Sequence, residues 1–411
     1  MVGLNLAPGE PESAYAWTRL AIALLLATLG GVGLWSVVVA LPVTQAEFGV
    51  GRADASLPFT LTMIGFGFGG IAMGRLSDRF GIVVPLIIGA LALALGYAAA
   101  ALATSLWQMA LVQCLLIGAG SSATFAPLMA HISMWFNRRR GIAVAIVASG
   151  NYLAGTVWPP ILQHFFQTVG WRQTFFGVAC ICAAGMLALA ALMRRPAPIP
   201  APEPTGSASD SGATHVLGIS PVALQTLLVV SGVSCCVAMS MPQVHIVAYC
   251  GDLGYGPARG AQMLSLMLGF GIVSRLTFGL ICDRIGGLRT LLLGASLQAA
   301  SLLLFIPFDT MVSLYVISVL FGLSQGGIVP SYAIVVREYF PSAEAGARLG
   351  LVILATLFGM ALGGWMSGAI FDAAGSYKVA FINGVLWNLG TVCIALWLLR
   401  RSMAQRQYAA A

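Results

Sequence analysis

The sequence predicts an all-α membrane protein of twelve transmembrane helices, arranged as two pseudo-symmetric six-helix bundles. Three observations lead there. Of 411 residues, 59% are hydrophobic and only 8% are charged, whereas a globular domain carries charge on about a quarter of its residues. The apolar residues gather into twelve runs, most of them long enough to cross a bilayer, which takes roughly 17–25 residues. Finally, the two sets of six runs repeat each other's loop motifs at a fixed offset.

In chain order, a cytoplasmic tail over 1–17 precedes a first bundle over 18–193, with apolar runs at 18–41, 57–73, 82–104, 107–134, 140–168 and 172–193. The first run is too long for a cleavable signal, and no small-residue cleavage site follows it. Residues 194–219 contain RRPAPIPAPEPTGSASDSG, a Pro/Ala/Ser/Gly stretch that cannot bury itself and reads as a cytoplasmic linker carrying His215. The second bundle, 220–400, has runs at 220–249, 260–282, 288–308, 311–336, 348–370 and 379–399, and a cytoplasmic tail over 401–411 closes the chain.

Orientation follows from the twenty basic residues. Fifteen arginines fall on one side of the membrane, Arg52, Arg172, Arg259 and Lys378 on the other, and Arg275 alone is left within it. The positive-inside rule then puts both termini and the linker in the cytoplasm, as in a bacterial-type inner membrane. The net charge of +7 clusters into no basic tail or aromatic-interleaved patch, so nucleic acid is not an expected partner. The eight cysteines lack metal-ligand spacing and read as small buried hydrophobes, with neither a metal site nor a disulfide framework expected.

The repeat is visible in GRLSDRFG, residues 74–81, and GLICDRIG, residues 279–286; Trp135-Phe136 and Tyr339-Phe340 match at nearly the same spacing. Twelve helices as six plus six, a central linker, and G-x-L-x-D-R-x-G in the loop after the second helix with an echo after the eighth resemble the major facilitator superfamily. The resemblance implies that the loop residues Gly74, Asp78, Arg79, Gly279, Asp283 and Arg284 work in conformational gating. The glycines would permit close helix approach, and the aspartates would pair with arginine or sit at a helix N-terminus; topology determination alone is the other reading. This chain departs from the pattern after Gly81, where Ile82 and Val83 stand in place of a basic pair, while the second copy keeps Arg289.

Arg275 lies in AQMLSLMLGFGIVSRLTFGLIC, residues 261–282. A guanidinium near the bilayer centre costs about 3 kcal/mol on insertion scales and usually faces a cavity or a partner. All thirteen acidic residues fall in tails, loops or helix ends, so an anionic substrate is the expected source of neutralising charge, and a carboxylate suits the guanidinium fork. A structural arginine bonded to helix carbonyls is the alternative. His245, in the outer part of helix 7, donates to a carboxylate or titrates near neutral pH, unless it is simply bonded to a neighbouring helix. His131 reads as a packing residue near the cytoplasmic end of helix 4. Helix 10, FGLSQGGIVPSYAIVVREYF, combines bending glycines and Pro330 with the hydroxyls of Ser331 and Tyr332. Helix 4 offers Ser121, Ser122, Phe125 and Pro127 in the same part of the repeat, and interrupted helices in corresponding halves point to a transporter site. Asn151 in helix 5 is either a ligand or interhelical glue.

The run Val244 to Gly254, an arginine midway along helix 8, GGIVPSY in helix 10 and WFNRRRG after helix 4 are similar to the monocarboxylate-transporter and oxalate/formate-exchanger branch of that superfamily. The resemblance implies carboxylate binding by Arg275, with His245 and Tyr332 beside it. Gly271 stands where animal members carry an aspartate, helix 1 lacks their lysine, and residues 351–370 hold no cation. One fixed positive charge suits a monoanion better than a dianion. The expected function is therefore secondary transport of small organic anions, most of all lactate-, pyruvate- or formate-like monocarboxylates, by alternating access as a proton symporter or anion exchanger. Its partners are a small carboxylate, protons and the lipid bilayer, with no cofactor and no enzymatic constellation. Two other readings stay open: an exporter of amphipathic drugs or metabolites, and an anion-binding membrane sensor without turnover.

Overall fold

The computed structural model describes residues 12–195 and 217–410. Most of the expected linker, with His215, lies outside the described residues, as do residues 1–11. Among the described residues, twelve helices are long and apolar enough to cross a membrane. They are α1 Ala14–Phe48, α2 Arg52–Phe80, α3 Val83–Ala101, α4 Leu106–Ser133, α5 Arg140–Thr168, α6 Trp171–Leu192, α7 Pro221–Asp252, α8 Pro257–Ile285, α9 Gly287–Leu304, α10 Met311–Tyr339, α11 Glu344–Ala374 and α12 Tyr377–Gln405. Large apolar side chains such as Leu102, Leu115, Leu280, Val312 and Leu386 stand exposed on their outer faces. A water-soluble protein does not carry such surfaces at this density, and the chain is an integral membrane protein. Five of them, α1, α2, α8, α11 and α12, run past their apolar runs at both ends, because the hydrogen-bonded backbone continues beyond the hydrocarbon layer.

The chain forms two compact units, Met1–Thr44 with Leu61–Asp210, and Gln45–Thr60 with Ser211–Ala411. The helix pairings of one recur in the other. In the first unit α1 packs on α5 and α3 on α6, and α2 meets α4 where a Cβ on Gly65 would run into the backbone of Cys114. In the second, α7 packs on α11, α9 on α12 and α8 on α10. Close helix contact in a membrane depends on such small residues, since the hydrophobic effect does not drive apolar helices together there.

Helix starts follow ordinary capping chemistry. Ser13 and Ser220 accept backbone amides from Ala16 and Ala223 at 3.3 and 3.2 Å, and Pro221 occupies the first turn of α7, where its missing N–H is no loss. Two interior breaks matter more. In α4 the helix opens over a π-turn at Gln113–Gly118, leaves helical geometry at Phe125 and restarts at Ala126 with Pro127 in its first turn. In α10 it stops at Gln325 and restarts at Ile328, and the amide of Gly326 donates to Ser274 Oγ at 3.1 Å. The glycine and proline content of these helices anticipated both interruptions.

Candidate functional site

In the second unit, Arg275 lies well inside α8, half-buried at the edge of the buried stripe that includes Leu264, Leu268, Gly271 and Cys282. Its backbone abuts the α10 break, where a Cβ on Gly326 would stand 2.8 Å from the Arg275 nitrogen. Beside the break, Gln325 Oε1 accepts from Gln243 Nε2 of α7 at 2.5 Å. The Gln325 Nε2 donor is buried without a hydrogen bond among the described residues. A buried amide donor in that state is uncommon and suits an acceptor arriving from outside the protein. Neither glutamine stands out in the sequence, because an uncharged amide barely changes the apolar average of its helix.

One turn beyond the break, Ser331 Oγ donates to the carbonyl of Gly327 at 2.8 Å. The Tyr332 hydroxyl, fully buried, pairs with Ser231 Oγ at 2.9 Å. His245 sits towards the end of α7 remote from the linker. Both its ring nitrogens are engaged, Nδ1 with the Tyr377 hydroxyl at 3.0 Å and Nε2 with the carbonyl of Gly364 at 2.8 Å. The same tyrosine oxygen accepts from Arg52 at 2.9 Å, and Arg52 forms an ion pair with Asp252 at 3.0 Å. Asp372 accepts the amides of Arg52 and Ala53, each at 2.8 Å. Four helices thereby converge on Arg52, which hydropathy alone puts in a loop and which is only 6% exposed. Arg52→Gln is expected to cost about 1–3 kcal/mol, because it strips a largely buried pair of its cation while Asp252 stays partly solvated. Thermal unfolding in detergent should show the lowered midpoint, with Lys378→Gln on the exposed surface unchanged.

In the first unit, Ser121, Phe125 and Asn151 come together around a recess of about 10 Å³ that Gly31, Phe66 and Thr124 also line, room for about one water. Ser121 Oγ is buried there and makes no hydrogen bond among the described residues. Phe125 holds the non-helical turn of α4, its ring 5.8 Å from that of Phe66. Asn151 receives Trp35 Nε1 on its backbone carbonyl at 3.0 Å and on Oδ1 at 3.2 Å, which joins α1 to α5. Towards the linker end, Arg19 is fully buried, although the sequence had placed it at the membrane edge. It donates to Tyr15 at 3.0 Å and Met193 O at 3.1 Å, sits 2.7 Å from His131 Nε2, and lies 4.5 Å from the Trp135 ring.

The loop motifs lie at the linker ends of the two units, away from both groups. Asp78, Arg79, Asp283 and Arg284 are exposed. A Cβ on Gly74 or Gly279 would meet nothing within 4 Å among the described residues.

Comparison with known proteins agrees with this architecture. The Major Facilitator Superfamily model matches residues 23–313 and 263–410. Monocarboxylate transporter 13 of Bos taurus is 29% identical over 77% of this chain and 73% of its own length. Monocarboxylate transporter 4 of Rattus norvegicus is 25% identical over 82% and 73%. The agnestins efflux protein AgnL12 of Paecilomyces divaricatus is 26% identical over 79% and 73%. Among solved structures, the nucleoside transporter NupG superposes with a TM-score of 0.71 at 15% identity, covering 93% of this chain and 99% of NupG. A family match running almost from end to end, on twelve membrane helices, leaves one assignment: the chain belongs to the major facilitator superfamily, a family of membrane transporters for small molecules and not of enzymes.

Proposed function

We propose that the protein is a secondary transporter of small organic anions, monocarboxylates of the lactate, pyruvate or formate kind, working by alternating access. The observation that carries this reading is Arg275, a permanently charged guanidinium inside an apolar helix, placed where α8 meets the break in α10. Its planar fork matches a carboxylate with two parallel hydrogen bonds. Ser331, Tyr332 and His245, with Ser121, Phe125 and Asn151, are the proposed supporting residues, and the free amide donor of Gln325 joins them. The monocarboxylate transporters among the relatives support the same substrate class. The test is uptake of labelled lactate, pyruvate, formate and oxalate by proteoliposomes. Entry of the monocarboxylates ahead of oxalate is expected; no uptake above protein-free liposomes overturns the reading.

Proton symport through His245 is the proposed coupling. Wild-type uptake should rise as external pH falls, and His245→Gln should flatten that dependence while uptake itself persists. A pH-independent wild type, with rapid counterflow against internal lactate, would replace symport with anion exchange. We further place both termini and the linker on the cytoplasmic face of a bacterial-type inner membrane, on the arginine asymmetry of the loops; a fluorescent green-fluorescent-protein fusion at the C-terminus would agree, and a dark one would not. A second reading, export of larger organic metabolites, is favoured by the similarity to an efflux protein. It predicts that inverted vesicles accumulate amphipathic aromatic acids in preference to lactate.

A further inference from the structure

We propose that a recess at the linker end of the second unit binds the phosphate headgroup of an anionic phospholipid. The proposal does not depend on the carboxylate reading. The recess has a volume of about 280 Å³ and lies among the end of α8, the start of α9 and the ends of α10 and α12. Two arginines line it, Arg284 from the last turn of α8 and Arg289 from the first turn of α9. The tight turn between them passes through Gly286 at φ 83°, a conformation that favours glycine, so both guanidiniums issue from one fixed corner. Neither forms an ion pair among the described residues.

The hydroxyls of Tyr339 and Ser402, 3.3 Å apart, complete the polar wall. The single carboxylate of the wall, Glu338, already accepts the amide of Gly287 at 3.0 Å, at the positive end of α9. Two guanidiniums and two hydroxyls beside that one occupied carboxylate fit a phosphate ester, which arginine holds with paired hydrogen bonds. The apolar part of the wall points to a lipid. Ile285 and Met403 line the recess and are exposed, and one turn back along α8 from Arg284, Leu280 is 70% exposed. A phosphate seated on the arginines thus has an apolar helix face beside it for acyl chains.

The repeat supplies a control for the test. In the first unit the equivalent loop continues Ile82-Val83-Val84, and Val84 holds the position that Arg289 holds in the second. The repeated fold forms without that arginine, which makes its replacement in the second copy a test of binding rather than of folding.

Native mass spectrometry of the full chain in detergent, titrated with phosphatidylglycerol or with phosphatidylcholine of the same acyl chains, tests this. The wild type should retain phosphatidylglycerol preferentially, and Arg284→Gln with Arg289→Gln should lose about thirtyfold in affinity, at about tenfold per 1.4 kcal/mol and about 1 kcal/mol per basic residue. Arg289→Val, which gives the second repeat the residue already tolerated in the first, should lose part of that affinity. The charge-matched Arg138→Gln with Arg139→Gln should keep it. Equal retention of the two lipids, or wild-type affinity in the double variant, overturns the proposal. Displacement of phosphatidylglycerol by equimolar glycerol 1-phosphate would overturn the lipid assignment and show a site for a soluble phosphate.

Discussion

Arg275→Ala is expected to lower monocarboxylate uptake by about a hundredfold or more while leaving a folded, monodisperse protein. A hydrogen bond to a charged group contributes about 1.5–3 kcal/mol, and a bidentate pair holds two, so the loss of substrate affinity spans at least two decades. Folding should not suffer in proportion, since an arginine in a membrane helix is itself costly and alanine is not. Arg275→Lys separates charge from geometry. It keeps the positive charge but offers a point donor in place of a fork, so uptake should persist with an apparent KM raised about tenfold. Proteoliposome uptake over a range of lactate concentrations, with thermal unfolding in parallel, checks both variants. An Arg275→Ala protein with wild-type uptake would remove the anion site from the account.

The second large effect lies at Gly326, where α10 breaks against α8. A Cβ there would press on the backbone carbonyl of Gly271, and would stand 2.8 Å from both the Arg275 nitrogen and Ser274 Cβ. Two of these neighbours are backbone, which cannot turn aside as a flexible side chain can. Gly326→Ala is therefore expected to push the two helices apart, at about 1–3 kcal/mol for overpacking, and to displace Arg275 with them. Gly326→Leu should fail to give monodisperse protein by size-exclusion chromatography. Gly279→Ala is the contrast, since its Cβ would meet nothing within 4 Å and the melting midpoint should stay near that of the wild type.

The fold was legible because membrane helices announce themselves through composition, and because two loop octapeptides at one spacing reveal a repeat. The breaks in α4 and α10 were legible as well, from Gly326, Gly327, Pro127 and their neighbours, since glycine and proline act on the backbone locally. Arg52 and Arg19 were not. Hydropathy ends a span where polar residues begin, but the helix continues, and neighbouring helices close over its opening turns. Burial of Arg52 comes from Asp252, Asp372 and Tyr377, residues some hundreds of positions away, which no local window registers. The Gln243–Gln325 pair escaped for a different reason: an uncharged amide barely alters the apolar average of its helix, and pairing across α7 and α10 is tertiary information. His245 has both nitrogens engaged by Tyr377 and Gly364, so a proton taken up at Nδ1 requires the Tyr377 hydroxyl to turn from donor to acceptor.

Equilibrium binding of a labelled monocarboxylate to purified wild-type protein and to Arg275→Ala, measured by scintillation proximity, tests the central claim most directly. The account predicts saturable binding of lactate or pyruvate to the wild type and its loss in Arg275→Ala at the same folded concentration. Equal affinity in the two proteins would contradict it.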